Sequence, residues 1–408
     1  MSARLLNVIG MVAIIGAVTA FVSLRPVTVA GQAPAASAGG SASRAASPRT
    51  PWGDPDLQGI WTDEFDTPLQ RSPRYANREF FTAEERAGLD EERVALLGRD
   101  RRVERGTELD VAGAYNSVFM FLKRTGRRTS LIVDPRDGRI PVTTAEAQQR
   151  AAADRAFRLA LLRSTETCKS GSVACAGGTY DPAPSPRRTE LAPRYNAARM
   201  NRFDNPEDGA LTDRCLADNT GGLLSFGGAY GGSFRRIVQT AGGVSIYYDV
   251  GQGQGFQRNI VMNGSPHLPP HVRQWFGDSR GRWEGDTLVI DVTNFTSKVD
   301  VMGSRENLHL VERWRRTGPG TLEYSVTISD PTVWTRPWTV TQEYSKQNEK
   351  ENRIYYEPRC AEGNYSLAAM LLGARLADTA YAEGRGPHPS TKDNATDFVG
   401  VEENPFAR

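Results

Sequence analysis

Residues Gly277–Phe295 read GDSRGRWEGDTLVIDVTNF and set Asp278, Arg280, Arg282, Glu284, Asp286 and Asp291 around Trp283. His267 and His271 precede this block and His309 follows it, so three of the chain's four histidines flank it. Imidazole is the side chain that trades protons near neutral pH, and a carboxylate can orient it or act directly. The block therefore predicts an acid–base site. His267 and His309 move protons, and Asp278, Asp286 or Asp291 orient them. Arg280 and Trp283 position a substrate, the first by its guanidinium and the second as a flat apolar surface. Glu312 and Tyr247 are the remaining expected contacts.

Four other patterns fail on their context. Gly277-Asp-Ser-Arg-Gly281 spells a nucleophile elbow, which lifts a serine where a strand turns into a helix. Here Arg282 to Val292 reads as a strand pair. Gly251-Gln-Gly-Gln-Gly255 leads into another strand, so no helix start waits to bind a phosphate. His267 and His271 would share a helix face as metal ligands, but Leu268-Pro269-Pro270 forbids a regular helix between them. Glu306-x-x-His309-x-x-Glu312 would also align on a helix. His309 instead opens an alternating run, and on a strand His309 and Glu312 face opposite sides. No metal and no cofactor are expected. Asn294-Phe-Thr296 spells a glycosylation triplet, which has meaning only in a eukaryotic secretory pathway.

The elements that must position these residues are strands. Val244, Ile246, Tyr248 and Val250 alternate with polar neighbours, as do Leu322, Tyr324, Val326 and Ile328, and Trp338, Val340 and Tyr344. Period two marks strands with one buried face. Ala241-Gly-Gly243, Glu284-Gly-Asp286 and Gly318-Pro-Gly320 fall between such runs as hairpin turns. Nine strands are expected: 234–240, 244–250, 256–262, 274–283, 287–295, 309–316, 322–329, 338–344 and 353–357. The expected fold is mainly β, an antiparallel barrel or sandwich with an α-containing N-terminal wrap and a C-terminal helix. Leu57 to Trp61 adds a strand to a sheet, and Ser130 to Val133 is a short one. Thr82-Ala-Glu-Glu85 and Thr143-Thr-Ala-Glu146 have capping-box spacing and open helices that end near Leu97 and Leu162. A last helix runs from Ser366 to about Asp378. Residues 221–232 are a glycine-rich loop.

Arg4, the apolar run Leu5–Leu24 and the small residues after Pro26 read as a secretory signal over residues 1–33. The run is also long enough to span a bilayer, but the small-residue region favours cleavage over anchoring. Residues 34–50 are an Ala/Ser/Gly linker. A single domain follows over 51–383, comprising the wrap 51–232, the β core 233–360 and the helix 361–383. Residues 384–408 form a polar tail. The formal net charge of +2 falls to near neutral without Arg4 and Arg25, which leaves no field to draw nucleic acid or an anionic membrane. Cys168, Cys175, Cys215 and Cys360 make an even set, and in an exported chain an even set predicts two disulfides. Three pairings are open, with Cys168–Cys175 and Cys215–Cys360 favoured.

Pro55-Asp-Leu-Gln-Gly-Ile-Trp61, Thr129-Ser-Leu-Ile-Val-Asp-Pro135, Pro266-His-Leu-Pro269, the 277–295 block, Glu306-Asn-Leu-His309, Arg336-Pro-Trp338 and Glu362-Gly-Asn-Tyr365 carry a resemblance. Over most of its length after the linker, the chain resembles a large family of uncharacterised exported proteins of environmental bacteria, acidobacteria among them. The resemblance implies an exported bacterial protein built as one unit, and brings no activity with it. From the residues alone two functions are expected. The first is a hydrolase or lyase using His/Asp chemistry on a small polar or carbohydrate-like molecule. The alternative is a non-catalytic binding protein for a small apolar or aromatic ligand, with Tyr247, Trp283 and Trp314 lining its cavity. The expected partner is thus a small molecule, for a secreted or periplasmic protein.

Overall fold

Strand alternation decides the architecture. In the computed structural model, residues 46–408 belong to one unit. The structure describes residues 48–97, 123–170, 234–249, 255–297, 299–347 and 366–389, with 175, 179–183, 223, 224 and 226. The signal, most of the linker, the expected strand 353–357, Cys215, Cys360 and the tail beyond residue 389 lie outside the described residues.

In chain order the strands are β1 (Gly59–Thr62), β2 (Phe65–Asp66), β3 (Arg124–Thr125), β4 (Ile132–Asp134), β5 (Phe234–Thr240), β6 (Gly243–Asp249), β7 (Gly255–Val261), β8 (Asp278–Glu284), β9 (Thr287–Thr293), β10 (His309–Gly318), β11 (Thr321–Ser329) and β12 (Trp338–Lys346). The helices are α1 (Ala83–Leu97), α2 (Ala145–Leu162), the single turn α3 (Glu166–Lys169) and α4 (Ser366–Ala382). Nine strands close a barrel in the order β1-β5-β6-β7-β8-β9-β10-β11-β12, and β12 returns to β1 at Trp61↔Lys346 and Thr62↔Ser345. Closure removes both sheet edges, which settles barrel against sandwich. The closing strand is β1, the extra strand anticipated near Leu57–Trp61. β4 adds outside the ring, beside Thr339 and Val340.

The barrel departs from the expected antiparallel pattern once. β7 and β8 run parallel, paired at Val261↔Arg280. Parallel neighbours need a long crossover where antiparallel ones need a short turn. The chain supplies it with Met262–Gly277, the segment that carries His267 and His271. Gly277 ends that crossover at φ +68, and a Cβ there would lie 2.7 Å from Thr293 O and from Val292 Cγ1. Glycine is needed because the turn is left-handed and pressed against β9.

Leu288, Ile290 and Val292 of β9 point inward and join Leu310, Trp314, Tyr324, Val326 and Trp338 in the buried core. Leu223 and Leu224, expected in a glycine-rich loop, are buried in the same core, and Phe226 packs against it. Both helix starts are capped, but differently. Thr82 Oγ1 accepts from Glu85 N at 3.2 Å while the Glu85 carboxylate accepts from Thr82 N at 2.9 Å, the reciprocal box that was expected. At α2 the cap is Thr144, whose Oγ1 accepts from Ala147 N at 3.1 Å, so the box based on Thr143 does not form. Cys168 and Cys175 are disulfide-bonded, as favoured, and such bonds persist in oxidising compartments. Among the described residues no helix is long and apolar enough to cross a membrane.

Candidate active site on the outer wall of β8, β9 and β10

The register of three strands brings the expected residues together. Arg280 lies opposite Asp291, and Asp291 lies opposite Val311. Asp278, Arg280, Asp291 and His309 all alternate with core residues, so they share the outer face of the barrel. The crossover lays His267 over that face.

The contacts form a line. Arg280 grips Asp278 with Nε to Oδ2 at 2.9 Å and Nη2 to Oδ1 at 3.0 Å, while its Nη1 donates to Ser265 Oγ at 2.6 Å. Asp278 Oδ2 also meets His267 Nδ1 at 2.8 Å and accepts from Leu268 N at 3.0 Å. His267 Nε2 lies 2.9 Å from Asp291 Oδ1. His309 Nε2 lies 3.1 Å from both Asp291 oxygens. The line is thus Arg280, Asp278, His267, Asp291, His309. Asp278, second in the line, is its most buried member at 6 % exposed, and the open end is His309, 41 % exposed. Among the described residues no hydrogen bond engages His309 Nδ1, so a proton on Nε2 leaves Nδ1 as an open base.

Burial works against the charge of Asp278, yet its carboxyl is held below the ordinary value. The Arg280 hydrogen bonds, the Leu268 N–H and His267 outweigh the desolvation. A neutral imidazole carries one N–H, so His267 can donate to one of its two carboxylates at a time. Doubly protonated, it satisfies both.

One residue missed in the sequence holds the crossover in place. Asn294 sits at φ 59, and its amide donates to the carbonyls of Leu268 (2.9 Å), Pro269 (3.2 Å) and Val272 (3.2 Å). Asparagine tolerates the left-handed backbone better than most residues. Its side chain is buried and committed, so the glycosylation triplet is a structural clamp here. The available signal was an asparagine just past the end of a strand.

Other expected site residues lie elsewhere. Asp286 is exposed in the β8–β9 turn and pairs with Arg49 at 2.9 Å. Glu312 is fully buried inside the barrel, as its parity against His309 requires. Trp283 faces inward and packs against the core. Tyr247 is on the outer face of β6, opposite Arg236 and Gln257 rather than the histidines. His271 is exposed on the crossover. Among the described residues no three His, Cys, Asp or Glu side chains are set to hold a metal ion.

The barrel interior carries charges that sequence reasoning did not single out. Arg258 forks onto Glu312 at 2.9 and 2.7 Å and donates from Nη1 to Tyr248 Oη at 3.2 Å. Trp314 Nε1 approaches Glu312 at 3.4 Å. Lys123 pairs with Asp63 at 2.8 Å, and Gln342 joins that carboxylate at 3.1 Å. The Arg235 guanidinium lies 4.5 Å from the Tyr248 ring. Burial, aided by Glu312 and opposed by Arg258, pushes the Tyr248 phenol up to about 12. Burial opposes the Arg258 charge, but Glu312 and Tyr248 more than restore it and its pKa rises. The signal was parity: Arg235 shares its face with Ile237, and Arg258 with Phe256 and Ile260.

No family model matches the chain, and no curated protein does. Among solved structures, a crystal structure of a mutant of the fluorescent protein UnaG is similar to 33% of this chain and 85% of that chain. The identity is 16% and the TM-score 0.20, and at that score the likeness bears on neither fold nor site.

Proposed function

We propose that this is an exported enzyme, a hydrolase or lyase, that uses the His309–Asp291 dyad for acid–base chemistry on a small polar or carbohydrate-like molecule. The carrying observation is the pair of 3.1 Å contacts from His309 Nε2 to Asp291, with no hydrogen bond to Nδ1 among the described residues. A carboxylate that fixes the tautomer and orientation of an accessible histidine is the arrangement general bases use. His267 couples the dyad to Asp278 and Arg280, which hold Asp291's surroundings rigid. Export is supported by the signal-like N-terminus and by the Cys168–Cys175 bond.

His309→Ala tests the reading. Turnover on a panel of nitrophenyl glycosides and esters should be abolished with the melting temperature nearly unchanged. A large loss of stability would mark a structural histidine.

A second reading, a binding protein without chemistry, has one observation in its favour. The barrel interior holds a dense aromatic and charged set, Tyr248, Arg258, Trp314 and Tyr324 among it, and Arg258 Nε is buried without a hydrogen-bond partner. Those rings fill space by touching one another: Trp314 to Tyr324 at 4.3 Å and Tyr248 to Phe256 at 4.7 Å. Native mass spectrometry of protein purified from its own host separates the two. A ligand recovered unaltered favours binding.

A further inference from the structure

A cleft of about 1170 Å³ lies between α2 and the segments that flank His309. One wall is Thr143 with α2 from Ala147 to Ala156, and the other is built from the β9–β10 connection and the chain just after β11. At about 1.5 Å per helical residue, the α2 part of that wall is about 15 Å long. Asn307 lines the cleft and precedes His309 by two residues. Asp330 also lines it and follows Ser329, the residue paired with His309 across β10 and β11. Consecutive Cα atoms are about 3.8 Å apart, so the His309 backbone lies within about 8 Å of the Asn307 Cα. The cleft therefore reaches the start of β10 at His309 and the end of β11 at its partner Ser329.

The lining favours one ligand chemistry. Arg150 donates to the Thr332 carbonyl at 2.9 Å, and Arg305 Nε to Asp300 at 3.3 Å. Asp330 accepts from Ser304 and from Thr332 Oγ1, both at 2.6 Å. These groups are engaged within the walls, and Asp154 and Arg155, which also line the cleft, are not free either. Ala147 and Ala151 give α2 a flat apolar strip, while exposed Glu306 and Asn307 offer hydrogen bonds opposite it. A matching ligand is uncharged, extended, apolar on its ring faces and hydroxylated at its edges.

The geometry points to this cleft as the substrate-binding cleft of the His309 site, seating a neutral oligosaccharide chain. The assignment rests on the acid–base reading above and names its substrate class. The test is calorimetric titration of the full chain with cellotetraose, xylotetraose, maltotetraose and chitotetraose, followed by mass spectrometry of the recovered sugar. Ala151→Trp fills the cleft from an exposed helix position, and Asn307→Ala removes one exposed amide, so neither disturbs the core. At least one tetrasaccharide should bind, with affinity reduced tenfold or more in Ala151→Trp and several-fold in Asn307→Ala. His309→Ala should bind within about twofold of the parent. Undiminished binding in both cleft variants would overturn the assignment, as would binding of oligogalacturonate alone with none of the neutral sugars. If the cleft variants lose binding but the parent returns every sugar intact, the cleft assignment stands and the acid–base reading fails.

Discussion

Asp291 offers both carboxylate oxygens to His309 Nε2 at 3.1 Å, while its Oδ1 also meets His267 Nε2 at 2.9 Å. One carboxylate thus ties a strand residue to a crossover residue. The crossover itself exists because β7 and β8 are parallel. Topology and chemistry are coupled at this point: a hairpin between β7 and β8 would leave His267 no path to the face of β9.

Asn294 should control that coupling. Asn294→Gly keeps the left-handed backbone but removes three donated contacts from a buried side chain. The expected loss is about 1–3 kcal/mol, and amide exchange at Leu268 and Val272 should speed up sharply. Unchanged exchange at those amides would mean that the clamp is not what holds the crossover.

The low carboxyl pKa of Asp278 gives a pH signature with a definite sign. The folded state binds this proton less readily than the unfolded chain does, so the stabilisation is complete above the ordinary carboxylate range, about pH 4. It is lost as pH falls through the folded value. Urea melts of the parent and Asp278→Asn should differ by a constant amount from about pH 5 to 7 and converge in more acidic solution. A gap that widens toward acid would contradict the contacts described for Asp278.

Inside the barrel, Glu312→Ala should leave Arg258 buried and unpaired, at a cost of about 3–5 kcal/mol. The combined change Arg258→Met with Glu312→Leu should cost much less, because neither charge is then stranded. Denaturant midpoints of the three proteins decide it. Equal losses in the single and double variants would remove the pair from the account of stability.

Much of this was legible in the sequence, for reasons that also mark the limits. Period two identified β5 to β12 with bounds within two residues, except that β8 starts at Asp278 and not at Gln274, and the parity of His309 against Glu312 correctly set them on opposite sides. The crowding of acids and histidines around residues 277–295 located the cluster, because polar groups that meet in space here are also close in sequence. Parity does not give strand direction, so the parallel β7–β8 pair was not foreseen. Nor does it weigh a buried ion pair: Arg258 occupies an inward position between Phe256 and Ile260, and that conflict was the unread clue to its partner Glu312. Asp286 looked like part of the site from its neighbours, but a turn residue points into solvent. Asn294 was read through a modification motif, and its backbone angle, which decides its role, is invisible in one dimension.

Nonreducing peptide mapping checks the cysteines. A Cys168–Cys175 peptide should be recovered, and its reduction should cost about 2–3 kcal/mol in the chain-entropy picture of a short loop. The Cys215–Cys360 pair expected from the sequence should appear in the same digest. A mixed Cys168–Cys215 peptide would contradict the bond observed between Cys168 and Cys175.

The dyad can be tested most directly through the tautomer of His309, by nitrogen-resolved NMR of imidazole-labelled protein in the neutral-ring state. The expected spectrum has the proton fixed on Nε2 and a lone-pair shift at Nδ1, and Asp291→Asn should abolish that preference. A His309 signal averaged between tautomers in the parent protein, or one unchanged by Asp291→Asn, would show that Asp291 does not orient a base.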